Sequence, residues 1–212
     1  MTTTQTRRPA ATATTLLRHT AAGLRVLLVL TVVLGVAYPL AVTAAAQVLL
    51  PWQANGSLLT ASGERTRSVD EAVGSALVGQ HFTGPEWFHP RPSAAGDGYD
   101  TLASGGSNLG PLNPDLLATV EERRAAVAAA EGVAPGAVPP DAVTASASGL
   151  DPHVSPEYAD LQVARVAAAR GLAPEQVRDV LAEHTAGRTL GILGAPRVNV
   201  LTLNLALATM SR

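Results

Sequence analysis

A long stretch without charged residues near the N-terminus constrains this chain more than any other feature. Between residues 26 and 63 there is no Asp, Glu, Lys or Arg, and residues 26–50 are almost wholly apolar. As an α-helix, this apolar segment would be about 37 Å long at roughly 1.5 Å per residue, enough to cross a hydrocarbon layer of about 30 Å. Pro39 lies near its middle, where it should kink the helix rather than end it. The sequence therefore predicts a transmembrane helix at residues 24–50.

Charged residues are distributed unequally on the two sides of this segment. Four arginines (Arg7, Arg8, Arg18 and Arg25) and no acidic residue precede it. Residues 51–212 contain 11 Arg and all 17 Asp and Glu, and therefore a net charge of −6. Because basic residues close to a span remain on the cytoplasmic side, residues 1–23 are predicted to be cytoplasmic. Residues 51–212 then form an extracytoplasmic globular domain of a single-pass plasma-membrane protein.

A cleaved signal peptide is the alternative interpretation of the N-terminus. The run Ala44-Ala45-Ala46 offers an Ala-x-Ala cleavage site. The apolar core of a signal peptide is, however, about 7–15 residues long, and the apolar segment here is far longer. Its length favours a retained membrane anchor.

The composition excludes several kinds of site. The chain has no Cys, which excludes disulfides and Cys-ligated metals. All 15 of its basic residues are Arg, which excludes a lysine-based phosphate loop or Schiff base. The acidic C-terminal part has no basic stripe, and so no nucleic-acid partner is expected.

The first part of the outer domain is predicted to be a β-hairpin followed by a long loop. Residues 57–60 and 72–79 resemble two short strands. A helix is the alternative, because Ser68 and Glu71 have capping-box spacing, but Gly74 and Gly79 disfavour it. Residues 81–112 are rich in Gly and Pro yet contain four aromatic residues. Since disordered segments are usually poor in aromatics, this loop is expected to pack against the domain or a partner.

Three helices follow, each marked by a proline at its start and a glycine after its end. They begin at Pro114, Pro156 and Pro174, and the second is predicted to bury Leu161, Ala164 and Ala168. Residues 198–207 are predicted to form a strand, with a terminal helix as the alternative. The fold class expected is one N-terminal transmembrane helix followed by a compact mixed α+β extracytoplasmic domain.

Two loops contain residue types that could support binding or catalysis. Residues 104–110 form a Gly-rich run, but it lacks the Lys and the following helix that a phosphate loop needs, and a turn packed on a partner explains it better. Residues 146–153 bring Ser148, Asp151 and His153 together. A hydrolase triad is assembled from distant parts of the chain, so Asp151 is expected to form an Asx turn instead. His153 as a metal ligand with His81 or His89 is less favoured than a structural role.

Polar residues in the last sixty positions suggest interface or structural roles. Gln162, Arg165 and Arg170 share one predicted helix, whose arginines fit either a solvated face or a protein interface. Asn199 and Asn204 interrupt an apolar tail, and buried Asn must find hydrogen-bond partners. No set of residues assembles into an active site in the sequence, and no catalytic or metal site is predicted.

Six runs, in this order and spacing, resemble a known family. They are residues 74–80 (GSALVGQ), 91–93 (RPS), 105–110 (GGSNLG), 148–153 (SGLDPH), 162–167 (QVARVA) and 198–207 (VNVL followed by LNLAL). Behind a single N-terminal span, this series is similar to the small C subunit of the Kdp-type potassium-transporting P-type ATPase. The resemblance covers most of residues 24–207.

The resemblance implies an accessory subunit needed for assembly of the potassium-uptake complex. Its partners would be a channel-like A subunit and an ATP-hydrolysing B subunit, which together handle potassium, ATP and Mg²⁺; the family is described as raising the ATP affinity of the B subunit. The partner-interface or structural candidates are Arg91, Ser93, Gly105, Gly106, Ser107, Asn108, Asp151, His153, Gln162, Arg165, Asn199 and Asn204. A membrane-anchored or secreted binding module, or a hydrolase using Ser148 or His153, are the alternatives.

Overall fold

The N-terminal unit is one long apolar helix. The computed structural model describes residues 13–210, so Arg7 and Arg8 of the predicted cytoplasmic segment lie outside the described residues. Helix α1 (Ala13–Val32) passes through a π-helical turn (Val33–Ala37) into α2 (Tyr38–Leu49), and a short α3 (Pro51–Ala54) follows. The irregular turn ends two residues before Pro39, which has no N–H to donate. In the described part of the chain, residues 13–49 form the one helix long and apolar enough to cross a membrane.

The second unit comprises residues 55–212 and begins with the predicted hairpin. Strands β1 (Leu58–Thr60) and β2 (Ala72–Ser75) are antiparallel, which confirms the hairpin over the capping-box helix. Strand β2 is shorter than residues 72–79, because the chain turns back after Ser75. The Gln80 side chain donates to the carbonyl of Val73 at 2.9 Å, and it occupies the space that a Cβ atom on Gly74 would need.

Residues 81–112 form neither a helix nor a strand, as predicted. They are nevertheless part of the folded unit, since Phe88 and Ala95 are completely buried. Phe88 belongs to the main core, with Val163, Val177 and Leu203 among its other members. The expectation that this aromatic loop packs against its own domain is confirmed.

The three predicted helices are confirmed, and the first two have their predicted caps, whereas the third ends at Glu183, before the predicted Gly187. They are α4 (Pro114–Glu131), α5 (Pro156–Arg170) and α6 (Pro174–Glu183). Asn113 Oδ1 accepts from the N–H of Asp115 at 2.8 Å, and Ser155 Oγ accepts from the N–H of Tyr158 at 3.0 Å. Each cap satisfies an N–H that has no partner within the first helical turn.

The buried face predicted for α5 was wrong. Ala164 and Ala168 are exposed and Leu161 is only partly buried. The buried residues lie on the neighbouring face and are Tyr158, Ala159, Gln162, Val163, Val166 and Ala167. Alanines occur on both the buried and the exposed face of α5, so their spacing does not show which face is buried. The polar Gln162 is completely buried, which the apolar periodicity of the sequence does not indicate.

The C-terminal segment contains both alternatives considered for it. Residues Arg197–Asn199 form strand β5, and Val200–Met210 form helix α7. Strand β5 is the centre of a small antiparallel sheet, with β3 (His153–Val154) on one side and β4 (Thr185–Ala186) on the other. The strand prediction for 198–207 was therefore correct only at its beginning, because α7 buries Leu203 and Leu207 against the core.

Candidate functional site

Gln162 and Arg165 on α5 fasten residues 85–93, here called the anchored loop, to the core. The side-chain oxygen of Gln162 accepts from the N–H of His89 at 2.7 Å and from Arg165 Nη2 at 2.8 Å. Arg165 Nη1 donates to the carbonyls of Pro85 and Trp87 at 2.8 and 2.9 Å. One arginine and one glutamine thus satisfy backbone groups that the loop cannot satisfy itself.

An ion pair holds the Arg165 guanidinium in position. Its Nε donates to Glu131 Oε1 at 2.9 Å, and the two side chains are only 12% and 3% exposed. Glu131 is the last residue of α4, and so the pair also joins α4 to α5. Loss of one partner would leave a buried charge uncompensated, a change that typically costs about 3–5 kcal/mol.

Arg170 holds the same loop from the next turns of α5. Its Nε donates to the carbonyl of Glu86 at 2.6 Å, and Nη1 donates to the carbonyl of Leu207 at 3.1 Å. The guanidinium lies over the Trp87 ring, 4.5 Å from its centroid. Burial lowers the pKa of Arg170 below its ordinary value, and the Glu86 carboxylate opposes that shift.

The two tail asparagines both bind backbone groups. Asn204 is completely buried; its Oδ1 accepts from the N–H of Phe88 and its Nδ2 donates to the carbonyl of Phe88, both at 2.9 Å. Asn199 Nδ2 donates to the carbonyl of Ala76 at 2.8 Å. Each asparagine therefore fixes a distant loop in place.

Asp151 is at the centre of a charged cluster in the 146–153 loop. It accepts from Arg91 Nη1 at 2.9 Å and from the N–H of His153 at 3.0 Å, the second bond forming the predicted Asx turn. Burial alone would raise the pKa of Asp151, but the His153 and Arg91 hydrogen bonds lower it to about 2. Ser148 Oγ instead accepts from the N–H of Leu150 at 3.1 Å, and so it is not paired with His153.

The Gly-rich run lies against this loop. The N–H of Gly105 donates to the carbonyl of Ser148 at 2.9 Å. A Cβ atom on Gly106 would come within 3.1 Å of the Ala147 carbonyl, so a side chain there would require the neighbouring backbone to move by a few tenths of an ångström. Ser107 and Asn108 are exposed, and Asn108 adopts a left-handed φ of 53°, which Asn tolerates better than most residues.

Ser93 completes the junction between these loops. Its hydroxyl donates to the carbonyl of Gly149 at 2.6 Å and accepts from the N–H of Tyr99 at 2.8 Å. The Tyr99 hydroxyl donates to the carbonyl of Arg91 at 2.6 Å. Burial, together with the charge of Asp151, raises the pKa of Tyr99, so this hydroxyl keeps its proton at neutral pH.

Two clefts adjoin the anchored loop. The larger, about 580 Å³, lies between the loop and α4; its polar lining includes His81, His89, Arg91, Tyr99 and Arg123. Burial lowers the pKa of His89, opposed by a hydrogen bond to the Gly84 carbonyl, so the ring is neutral at pH 7. The smaller, about 510 Å³, contains Asp151 and His153. Among residues 13–210, no three His, Asp or Glu side chains are grouped to hold a metal ion.

The structure brings the candidates together in two groups. Gln162, Arg165 and Asn204 converge on the anchored loop. The loop of Asp151 and His153 contacts Arg91, Ser93, Gly105 and Gly106. Asn199 binds the carbonyl of Ala76, just after the hairpin. The sequence interpretation missed Glu131 and Tyr99, because their partners are 34 and 8 residues away and neither lies in a recognisable motif.

These features define a class: a chain with one apolar N-terminal helix and a small α+β domain whose notable polar residues bind its own backbone. The matching family model is described as KdpC, the c chain of the K⁺-transporting ATPase, and it covers residues 20–209. The chain belongs to this family.

Named relatives agree with that assignment. The potassium-transporting ATPase KdpC subunit of Kineococcus radiotolerans is 61% identical over 194 residues, covering 92% of this chain and 95% of the relative. Those of Beijerinckia indica and Gemmatimonas aurantiaca are 50% and 52% identical, covering 91% and 92% of this chain and 94% and 95% of the relatives. The resemblance found in the sequence is confirmed.

Proposed function

We propose that the chain is a non-catalytic accessory subunit, required for assembly and stability of an ATP-driven potassium-uptake complex. Membership of the KdpC family supports the assignment of the chain to such a complex. One observation carries the non-catalytic role: the side chains that first suggested a site, Gln162, Arg165 and Asn204, bind the backbone of the anchored loop. Groups engaged in this way shape a rigid surface and are not free to act on a substrate.

The proposed orientation places the N-terminus in the cytoplasm and residues 51–212 outside the plasma membrane. Arg18 and Arg25, which lie just before the apolar segment, support it, because basic residues next to a span stay inside. The domain boundaries proposed are residues 1–23, 24–50 and 51–212. Trp52, next to the end of the apolar segment, suits the outer headgroup layer.

The partners proposed are a channel-like A subunit and an ATP-hydrolysing B subunit, within a lipid bilayer. An outer domain cannot touch cytoplasmic ATP, so any increase in the B subunit's ATP affinity is transmitted through the assembled complex. ATP, Mg²⁺ and potassium are bound by the partners. The domain caps the outer face of the channel-like subunit, where its net charge of −6 modestly raises the local cation concentration.

Deletion of residues 51–212 with the span retained tests this role. Potassium-stimulated ATPase activity of the co-expressed complex should fall to background, because the surface that organises the other subunits is gone. The matched control replaces Ser148 and His153 together by alanine in the full chain, which should retain activity. Full activity of the deletion variant, or loss of activity in an assembled complex of the double variant, would contradict the proposal.

A further inference from the structure

The connection between β4 and β5 ends in a turn that presents aliphatic side chains to solvent. We call residues 188–194 the apolar turn. Leu190, Ile192 and Leu193 are 85%, 75% and 56% exposed, and Gly191 is the one other residue between them. Soluble domains rarely expose three large aliphatic side chains within four residues. Contiguous exposed apolar surface usually marks an interaction site.

The apolar turn is held in one shape by its own backbone. The N–H of Thr189 donates to the carbonyl of Leu193, and the N–H of Leu193 donates to the carbonyl of Thr189, both at 2.9 Å. The N–H of Gly191 donates to the carbonyl of Arg188 at 3.0 Å. Leu190 adopts a left-handed φ of 55°, an uncommon conformation for a branched apolar residue. A preformed shape lowers the entropy lost on binding.

The charge around the turn is opposite to that of the domain. From residue 185 to residue 210 there is no acidic residue, and Arg188 and Arg197 are the two charged residues. The domain as a whole is acidic. In the part of the chain that the structure describes, neither arginine forms an ion pair; Arg197 donates to the carbonyl of Gly187 at 3.5 Å. A partner surface complementary to the apolar turn and its two arginines would therefore be apolar at its centre and acidic at its rim.

We infer that the apolar turn inserts into an apolar, acid-rimmed recess on another subunit of the same ATPase. This inference rests on the proposed accessory role. A protein surface fits better than a lipid surface for two reasons. The turn has a fixed shape, which a fluid bilayer does not require, and residues 159–210 contain no Trp or Tyr, the side chains typical of membrane interfaces.

A photo-crosslinking amino acid at position 192 of the co-expressed complex tests the contact. The expected product is a covalent adduct with one other subunit of the complex, identified by mass spectrometry. The matched control is position 69 in the β1–β2 connection, where Val69 is 78% exposed among acidic residues, and it should give no adduct. Absence of an adduct at position 192 in an assembled complex would overturn the inference.

Two further measurements distinguish docking of the apolar turn on a protein subunit from contact with lipid. Joint replacement Leu190→Ser, Ile192→Ser and Leu193→Ser should reduce co-purification of the other subunits at least tenfold while the variant unfolds at the wild-type temperature. Co-purification at the wild-type level would overturn the inference. Since the chain has no native Cys, Ile192→Cys accepts a single fluorophore; quenching of that label by spin-labelled lipids, with the chain alone in vesicles, would show a lipid contact and overturn it as well.

The deletion of residues 51–212 keeps this inference separate from the proposed function. If the deletion abolishes ATPase activity while the triple variant assembles normally, the apolar turn is not the docking element and the accessory role stands. If the deletion leaves activity intact, the accessory role fails, and an adduct at position 192 would then record a contact without that function.

Discussion

The anchored loop and the apolar turn are both irregular segments, yet they are stabilised in opposite ways. The anchored loop receives hydrogen bonds from Gln162, Arg165 and Asn204 on two helices, and its Phe88 is buried. The apolar turn bonds only to its own backbone within residues 188–194, and its aliphatic side chains stay exposed. The polar residues therefore stabilise the fold of the domain, whereas the apolar turn leaves its aliphatic side chains exposed to solvent.

The largest effect is expected from Arg165→Met. The substitution leaves the Glu131 carboxylate buried without a counter-charge and removes the donors to the anchored loop. The free energy of unfolding should fall by about 3–5 kcal/mol, measured by denaturant unfolding of the full chain in detergent.

Arg178→Met is the matched control for that variant. Arg178 pairs with Asp160 and Glu175, but its side chain is 46% exposed. Exposed ion pairs contribute about 0–1 kcal/mol, and so this variant should unfold close to wild type. Equal losses in the two variants would show that the anchored loop does not depend on the buried pair.

A smaller loss is expected from Asn204→Leu. Leucine has a similar volume but leaves the N–H and carbonyl of Phe88 buried without partners, which should cost about 1–3 kcal/mol. Exchange of the Phe88 amide hydrogen should accelerate in the same variant. Wild-type exchange at Phe88 together with unchanged stability would contradict the role assigned to Asn204.

A pH dependence of about 1 kcal/mol is expected from Asp151, after allowance for its partial exposure. Its pKa is lowered from 3.8 to about 2 in the folded chain. Its contribution is therefore fully present above pH 3.8 and is lost as the pH falls through 2. The difference in unfolding free energy between wild type and Asp151→Asn should shrink over that window. A difference that stays constant from pH 6 to pH 2 would contradict the assignment.

The smallest effect on stability is expected at the apolar turn. Ile192→Ser removes a side chain that is 75% exposed, so the free energy of unfolding should change by less than about 0.5 kcal/mol. Thermal unfolding of the isolated chain measures it. A loss above 2 kcal/mol would mean that Ile192 stabilises the domain itself.

Local signals in the sequence predicted the elements well. Asn113 and Ser155 mark helix starts, and Gly132 and Gly171 mark helix ends, because capping depends on neighbours in the chain. The pairing of Arg165 with Glu131, 34 residues apart, depends on how α4 packs on α5. The buried face of α5 was predicted wrongly for the same reason, since the packing of Gln162 is a tertiary property. Family membership, by contrast, followed from the order of six short runs.

Protease accessibility of the acidic domain tests the central claim most directly. Protease added to sealed cells should degrade residues 51–212 of the chain, whereas inside-out vesicles should protect them, because the arginines that precede the apolar segment are expected to keep the N-terminus inside. A domain that is protected in sealed cells and digested in inside-out vesicles would contradict the proposed orientation, and with it the role of the domain as an outer cap.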